Sequence, residues 1–272
     1  MSSQPSPILL QPAELALRLG EDGLLPVDLR DQGLYLQGHL PGAVQIDYKR
    51  LAVPRPPAMG EVPEGAALEA LLSEIGLTPE TQVVAYDGEG NGKASRLIWT
   101  LHLVGHRCAA LLDGGIGAWA GEGLPLEAGP VAPRASAYRI AGGGAVGADR
   151  VYVLSHLGDP GVVILDTRSP AEFSGADLRA ARGGHIPGAV NLDWVLLRDP
   201  ARGGRLKPAA ELKALFAAQG IEPSQEVIVH CQTHHRSSLT YIALKALGYA
   251  KVRGYAGSWS EWGNDPTLPV ER

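Results

Sequence analysis

Apolar residues in this chain fall into two kinds of stretch, short unbroken runs and longer segments at helical spacing. Val162–Asp166, Glu226–His230 and Ala109–Leu112 are short continuous runs. Their continuity, without polar alternation, predicts strands buried on both faces. The segment 206–219 instead places Leu212, Leu215 and Phe216 on one helical face, with Pro208 near its first turn and Gly220 positioned as a C-cap. The segment 237–247 predicts a second helix ending at Gly248, followed by a strand over 250–253. Strands alternating with helices imply an α/β fold, with a mainly parallel sheet covered by helices on both faces.

The same phrases recur about 140 residues apart. Val27-Asp28-Leu29-Arg30 returns as Leu165-Asp166-Thr167-Arg168, and His39-Leu40-Pro41-Gly42-Ala43 returns as His185-Ile186-Pro187-Gly188-Ala189. Residues 76–87 align without a gap on 220–231, and Leu124-Pro125 on Leu268-Pro269. The order is preserved, which predicts a tandem duplication of one α/β domain rather than a short-period solenoid. The expected division is a first domain over 1–125, a linker over 126–137 broken by Gly129, Pro130 and Pro133, and a second domain over 138–272. Gly142-Gly143-Gly144 reads as a flexible loop. At one aligned position the copies are chemically unequal. The first has Asp87 and the second has Cys231.

Composition narrows the function classes. With 24 basic and 29 acidic residues in 272, the net charge is −5, which offers no electrostatic footprint for nucleic acid or an anionic membrane. No apolar run reaches the ~18 residues of a membrane span. The first basic residue is Arg18 and no basic n-region precedes an apolar core, so a cytoplasmic location is expected. Two cysteines exclude a disulfide framework. Cys108 leads into the apolar run 109–112 and reads as a packing residue. Cys231 ends a predicted strand and is followed by Gln232-Thr233-His234-His235-Arg236-Ser237, where a helix opens. In an open parallel sheet, ligands gather beyond the carboxyl ends of strands. A tight loop there, with its N–H groups and a helix N-terminus, favours an anion, and hence thiolate over thiol. Arg236, with His234 and His235 to a smaller extent, would add positive charge at the rim.

These residues carry a resemblance. Asp166-Thr167-Arg168, Glu172-Phe173, Gly184-His185-Ile186-Pro187-Gly188-Ala189 and the terminal Gly257-Ser258-Trp259 resemble the marks of the tandem-domain rhodaneses. The loop over 231–236 is similar to that of the bacterial thiosulfate sulfurtransferases. The resemblance implies an active C-terminal domain and an inactive N-terminal one, in keeping with Asp87. It also implies that Cys231 takes a sulfane sulfur from thiosulfate as a persulfide and passes it to cyanide or another thiophile. Gln232, Thr233, His234, His235, Arg236 and Ser237 would bind the donor, with Arg182 and Trp194 as candidate cleft residues. The implied partners are a small anionic donor and a thiophilic acceptor, a protein acceptor included.

The same residues bear on rival assignments. A cysteine phosphatase or arsenate reductase places five residues between Cys and Arg, and here there are four. A mercaptopyruvate sulfurtransferase would show a Cys-Gly-Ser-Gly loop, which is absent. A non-catalytic persulfide carrier would use the same cysteine. His230 lies in the strand and alternates away from the loop histidines, so no metal site and no cofactor is expected. The stretch 87–93 is glycine-rich but fails the phosphate-loop pattern, since Asp87 and Ala94 replace the required Gly and Ser/Thr. His39 with His185, and Asp28/Arg30 with Asp166/Arg168, occur in both copies and read as structural. Trp119 aligns with Trp262, and packing is the expected role of both Trp259 and Trp262.

Overall fold

The unbroken apolar runs are the inner strands of two parallel sheets. The computed structural model describes residues 7–272. One five-stranded sheet has the order Leu9–Leu10, Ala109–Leu112, Gln82–Tyr86, Leu24–Asp28, Val44–Gln45. The other runs Val190–Asn191, Val162–Asp166, Glu226–His230, Val252–Tyr255, Gly147–Ala148. Read from opposite ends, the two orders match strand for strand, so the duplication seen in the sequence is a duplication of topology. Every recorded pairing within the two sheets is parallel. Glu226–His230 is the middle strand of its sheet, hydrogen-bonded on both edges, which is why its last four residues are buried.

By internal contacts the chain divides into two units. Among the described residues, one comprises 7–51, 63–144 and 199–205, and the other 52–62, 145–198 and 206–272. Each unit therefore takes in a short segment that the sequence places in the other half. Segment 126–137 follows the first unit closely. Glu127 forms a bridge with His39, and Ser136 N–H donates to Ser73 O at 2.9 Å. Gly144 N–H donates to Leu103 O at 2.7 Å, so the triple-glycine loop is anchored at its end.

Two predicted elements shift, each for a local reason. The helix expected over 206–219 is Ala209–Ala218, with Pro208 as its N-cap. Proline keeps Lys207 out of the helical region, and Leu206 belongs instead to a short strand, Arg205–Leu206. The strand expected over 250–253 is Val252–Tyr255, because Gly254 and Tyr255 pair with the edge strand Gly147–Ala148. The helix expected over 237–247 is Arg236–Ala246. Gly220 and Gly248 take φ of +70° and +87° past their helices, a left-handed C-terminal turn that costs glycine least.

The residue pairs shared by both copies do shared work. Arg30 donates to Asp28 Oδ2 at 2.6 Å and Arg168 to Asp166 Oδ2 at 2.6 Å, each guanidinium spanning both carboxylate oxygens. The second pair is fully buried, and Arg168 stacks over the Trp259 ring at 4.5 Å. His39 and His185 bridge the backbones of Glu127 and Glu271, closing each copy's last segment onto its turn. Trp119 and Trp262 are buried in their cores and donate to Pro125 O at 2.9 Å and Pro269 O at 2.6 Å.

Candidate active site

The strand Glu226–His230 delivers Cys231 to the sheet's carboxyl edge, and the helix Arg236–Ala246 starts five residues later. Cys231 is 1% exposed. Its backbone is clamped by the segment 257–260. Trp259 N–H donates to Cys231 O at 3.0 Å, Ser260 N–H to Gln232 O at 3.0 Å, and Cys231 N–H reaches Ser258 Oγ at 3.4 Å. The terminal Gly-Ser-Trp mark thus has a physical role: Ser258 and Trp259 pin the Cys231 backbone at the start of the loop. His234 and Ser258 take φ of +53° and +52°, a strained region for residues with a Cβ and worth about 1–3 kcal/mol each.

At the centre of this turn the thiol's titration is perturbed in a telling direction. Burial pushes the Cys231 thiol up, yet its pKa is lowered overall. The Arg236 charge, the Ser237 N–H and hydroxyl, and the Thr233 N–H outweigh desolvation. The ring is therefore built for a sulfur anion. Arg236 is held by two bonds to Glu172, Nη1 to Oε2 at 2.6 Å and Nη2 to Oε1 at 2.8 Å. Burial raises the Glu172 carboxyl, but Arg236 and Ser169 bring it down to about 2. Glu172 is itself placed by a capping box with Ser169 at the start of the helix Pro170–Ser174. Arg236 is consequently a shared cation, facing a carboxylate on one side and the thiolate on the other.

The remaining residues divide by position. Ser237 lies at the sulfur and accepts or donates at His234 Nδ1, 2.7 Å away. His234 is fully buried and Ser238 Oγ donates to its carbonyl at 2.6 Å, so it shapes the loop from within. Gln232 donates to Arg179 O at 2.9 Å. His235 is half-buried, its ring 6.0 Å from Trp194, over which Arg198 stacks at 4.5 Å. Trp194 therefore stands beside the loop. Arg182 is engaged with the C-terminal segment. Its guanidinium donates to the carbonyls of Trp262, Gly263, Asp265 and Leu268, stapling the C-terminal segment. Glu172, Ser258 and Ser260 are the site residues whose roles the sequence left unread. The Ser-x-x-Glu box at 169–172 was the available signal for the first.

Beneath the loop, His230 is fully buried, with Nε2 3.7 Å from Asp166 Oδ2. Desolvation lowers its pKa, so it is a neutral floor for the site. Cys108 is half-buried and precedes the strand Ala109–Leu112, lining a groove of about 480 Å³ with His106, Arg107, Tyr138 and Arg139. It is more open than a core thiol. In the first copy, Asp87 occupies the turn equivalent to Cys231, and its carboxylate accepts N–H bonds from Glu89 (2.8 Å), Asn91 (2.8 Å) and Ala94 (3.0 Å).

A family model described as a rhodanese-like domain matches the chain twice, over residues 11–122 and 149–265. The chain belongs to the rhodanese family. This rhodanese is 44% identical to a thiosulfate sulfurtransferase of Pseudomonas aeruginosa over 265 residues, covering 97% of each chain. It is 33% identical to the sulfur carrier protein TtuD of Thermus thermophilus, over 92% of this chain and 90% of that one. Among solved structures, the 3-mercaptopyruvate sulfotransferase SseA of Escherichia coli superposes with a TM-score of 0.81 at 27% identity. That match covers 93% of this rhodanese and 99% of SseA. No helix of the described residues is long and apolar enough to cross a membrane.

Proposed function

We propose that this rhodanese is a thiosulfate sulfurtransferase whose sulfur is carried on Cys231. The observation that carries the reading is a fully buried thiol held toward thiolate by a ring of N–H donors and one arginine. Such a thiolate attacks the outer sulfur of thiosulfate. The new bond is Cys231 Sγ–S, the S–S bond of thiosulfate breaks, and its electron pair leaves with sulfite. Thiolate and thiosulfate together bring three negative charges, and persulfide and sulfite together take three away. Cyanide then removes the outer sulfur as thiocyanate and restores the thiolate. The lowered pKa of Cys231 favours the deprotonated nucleophile, so the step is written without an external base. Arg236 and the Thr233 and Ser237 N–H groups sit where negative charge concentrates, and they keep their orientation through the step. Gln232, His235 and Trp194 lie at the loop where the sulfite end would rest, while His234 acts from inside.

A second reading, a carrier loaded and unloaded by proteins, is favoured by the likeness to the Thermus protein. The two separate on turnover. Thiosulfate treatment followed by peptide mass spectrometry should add one sulfur to the Cys231 peptide, and added cyanide should yield thiocyanate over many cycles. Cys231→Ala should abolish both with the fold retained. Persulfide without turnover would favour the carrier, and turnover in Cys231→Ala would refute the assignment. Free thiols at Cys108 and Cys231 suit a reducing compartment, so we place the protein in the cytoplasm, with a protein thiol among its acceptors.

A further inference from the structure

The hairpin formed by Val53–Arg55 and Ala58–Glu61 comes from the first half of the sequence but belongs to the unit that holds Cys231. Two contacts seat it on the loop. Met59 N–H donates to Ser260 Oγ at 3.0 Å, and Ser260 is the residue whose own N–H holds Gln232 O. Gly60 is buried flat against Thr233. A Cβ built on Gly60 would stand 2.8 Å from Thr233 Cβ and 2.9 Å from its carbonyl carbon, and nearer still to the carbonyl oxygen. Gly60 does not have a left-handed backbone, so close approach, and not its dihedral, is what requires a glycine here.

We propose that Gly60 is a positioning residue for the sulfur site, and that the first half of the chain completes the thiolate cradle through this hairpin. The proposal rests on the reading of Cys231 as the sulfur-accepting residue. The Thr233 N–H is one of the donors that hold the Cys231 sulfur as an anion. The loop that carries it is only four residues long and passes through a left-handed residue at His234. On one side the 257–260 segment holds it by the Cys231 and Gln232 carbonyls. The peptide that bears the Thr233 N–H is held at its carbonyl, Gln232 O, by Ser260 N–H, and the hairpin backbone at Gly60 is the wall against the Cβ and carbonyl of Thr233, fixing where that residue sits. The unequal first copy is therefore not an idle duplicate. The equivalent turn of the second half, 199–205, is likewise part of the other unit, where Gly203 O lies 2.9 Å from the position of a Cβ on Gly114. Close backbone seating of this hairpin is thus a repeated feature, and only in the Cys231 unit does it press on a loop bearing a thiol.

Gly60→Ala in the full chain tests this. The added methyl must move either Thr233 or the hairpin: the first displaces the residue that bears the N–H, and the second removes the wall that seats it. Iodoacetamide labelling of the Cys231 peptide, followed by mass spectrometry across pH, should show its midpoint moved upward. The rate at pH 7 should be about fivefold lower, the equivalent of one hydrogen bond. Gly65→Ala, whose new Cβ meets nothing within 4 Å, should leave the profile unchanged. Loss of packing alone would change the unfolding midpoint without displacing the labelling profile. A folded Gly60→Ala protein with the wild-type profile overturns the proposal. If Gly60→Ala does not fold, Ser260→Ala, which removes the acceptor of Met59 N–H without adding an atom, must shift the profile in the same direction. An unmoved profile there overturns it equally. Because labelling reads the thiolate and not turnover, this outcome is independent of whether thiosulfate proves to be the donor.

Discussion

Arg236→Ala perturbs two charges at once, and the structure sets the size of each effect. Glu172 has its carboxyl displaced from the usual 4.5 to about 2 against the opposing effect of burial, chiefly by its bonds to Arg236. That displacement corresponds to about 3 kcal/mol of stability. Screening at a guanidinium side chain that is 21% exposed trims it to about 2 kcal/mol. Since the folded carboxyl titrates below the unfolded one, the stabilisation is complete above about pH 4.5 and is lost as pH falls toward 2. Urea unfolding should therefore place Arg236→Ala about 2 kcal/mol below wild type at pH 7, with the gap closing at pH 2–3. The second effect is at sulfur. Removing the cation that opposes desolvation of Cys231 should move its labelling midpoint upward and slow labelling at pH 7 by about tenfold or more. Thiocyanate formation should fall further, by about 100-fold, because the departing sulfite loses the same partner. Cys108→Ala should change none of these readings. An unmoved labelling profile, or a stability gap equal at pH 7 and pH 2.5, would refute the shared-cation account.

Arg182→Met should lower the unfolding free energy by about 2–4 kcal/mol, since four carbonyls of the C-terminal segment lose their donors, with turnover per folded molecule unchanged. A large rise in KM for thiosulfate would return Arg182 to the cleft. Asp87→Ala should destabilise the chain by about 2–3 kcal/mol by orphaning the N–H groups of Glu89, Asn91 and Ala94, again without loss of sulfur transfer. Loss of turnover in that variant would give the first copy a chemical role.

What could be read from sequence depended on how local each feature is. The strands Val162–Asp166 and Glu226–His230 were legible because inner parallel strands must be apolar throughout. The two-residue edge strands Val44–Gln45, Gly147–Ala148 and Val190–Asn191 were not, since two residues carry no period. The sulfur loop was legible because nucleophile, donors and helix start are consecutive. The Glu172–Arg236 pair joins residues 64 apart, and the Met59–Ser260 bond residues 201 apart, and neither leaves a trace in local pattern. Nor does composition disclose the left-handed backbone of His234 or the burial of its side chain.

The two copies share the cradle, so the cradle alone does not make the chemistry. At the aligned turn, Asp87 O accepts the Ile116 N–H at 3.1 Å, as Cys231 O accepts that of Trp259. In both copies the residue two positions on, Glu89 or Thr233, turns its N–H onto the anion. The differences lie in the acceptor and its counter-ion. A carboxylate offers two oxygens, and at Asp87 they take three N–H donors, leaving an anion satisfied by its own loop. A thiolate is a single polarizable atom that can hold donors on one side and still form a bond to sulfur on the other. Burial opposes the Cys231 thiolate, and the second copy offsets this with a cation. Counting from the aligned residues, Gly92 stands in place of Arg236 and Leu34, 48% exposed, in place of Glu172. Both members of the ion pair are absent together. An arginine at position 92 would find a leucine, not a carboxylate, at position 34. The ion pair and the cysteine therefore occur together, mounted on an N–H turn that both copies share.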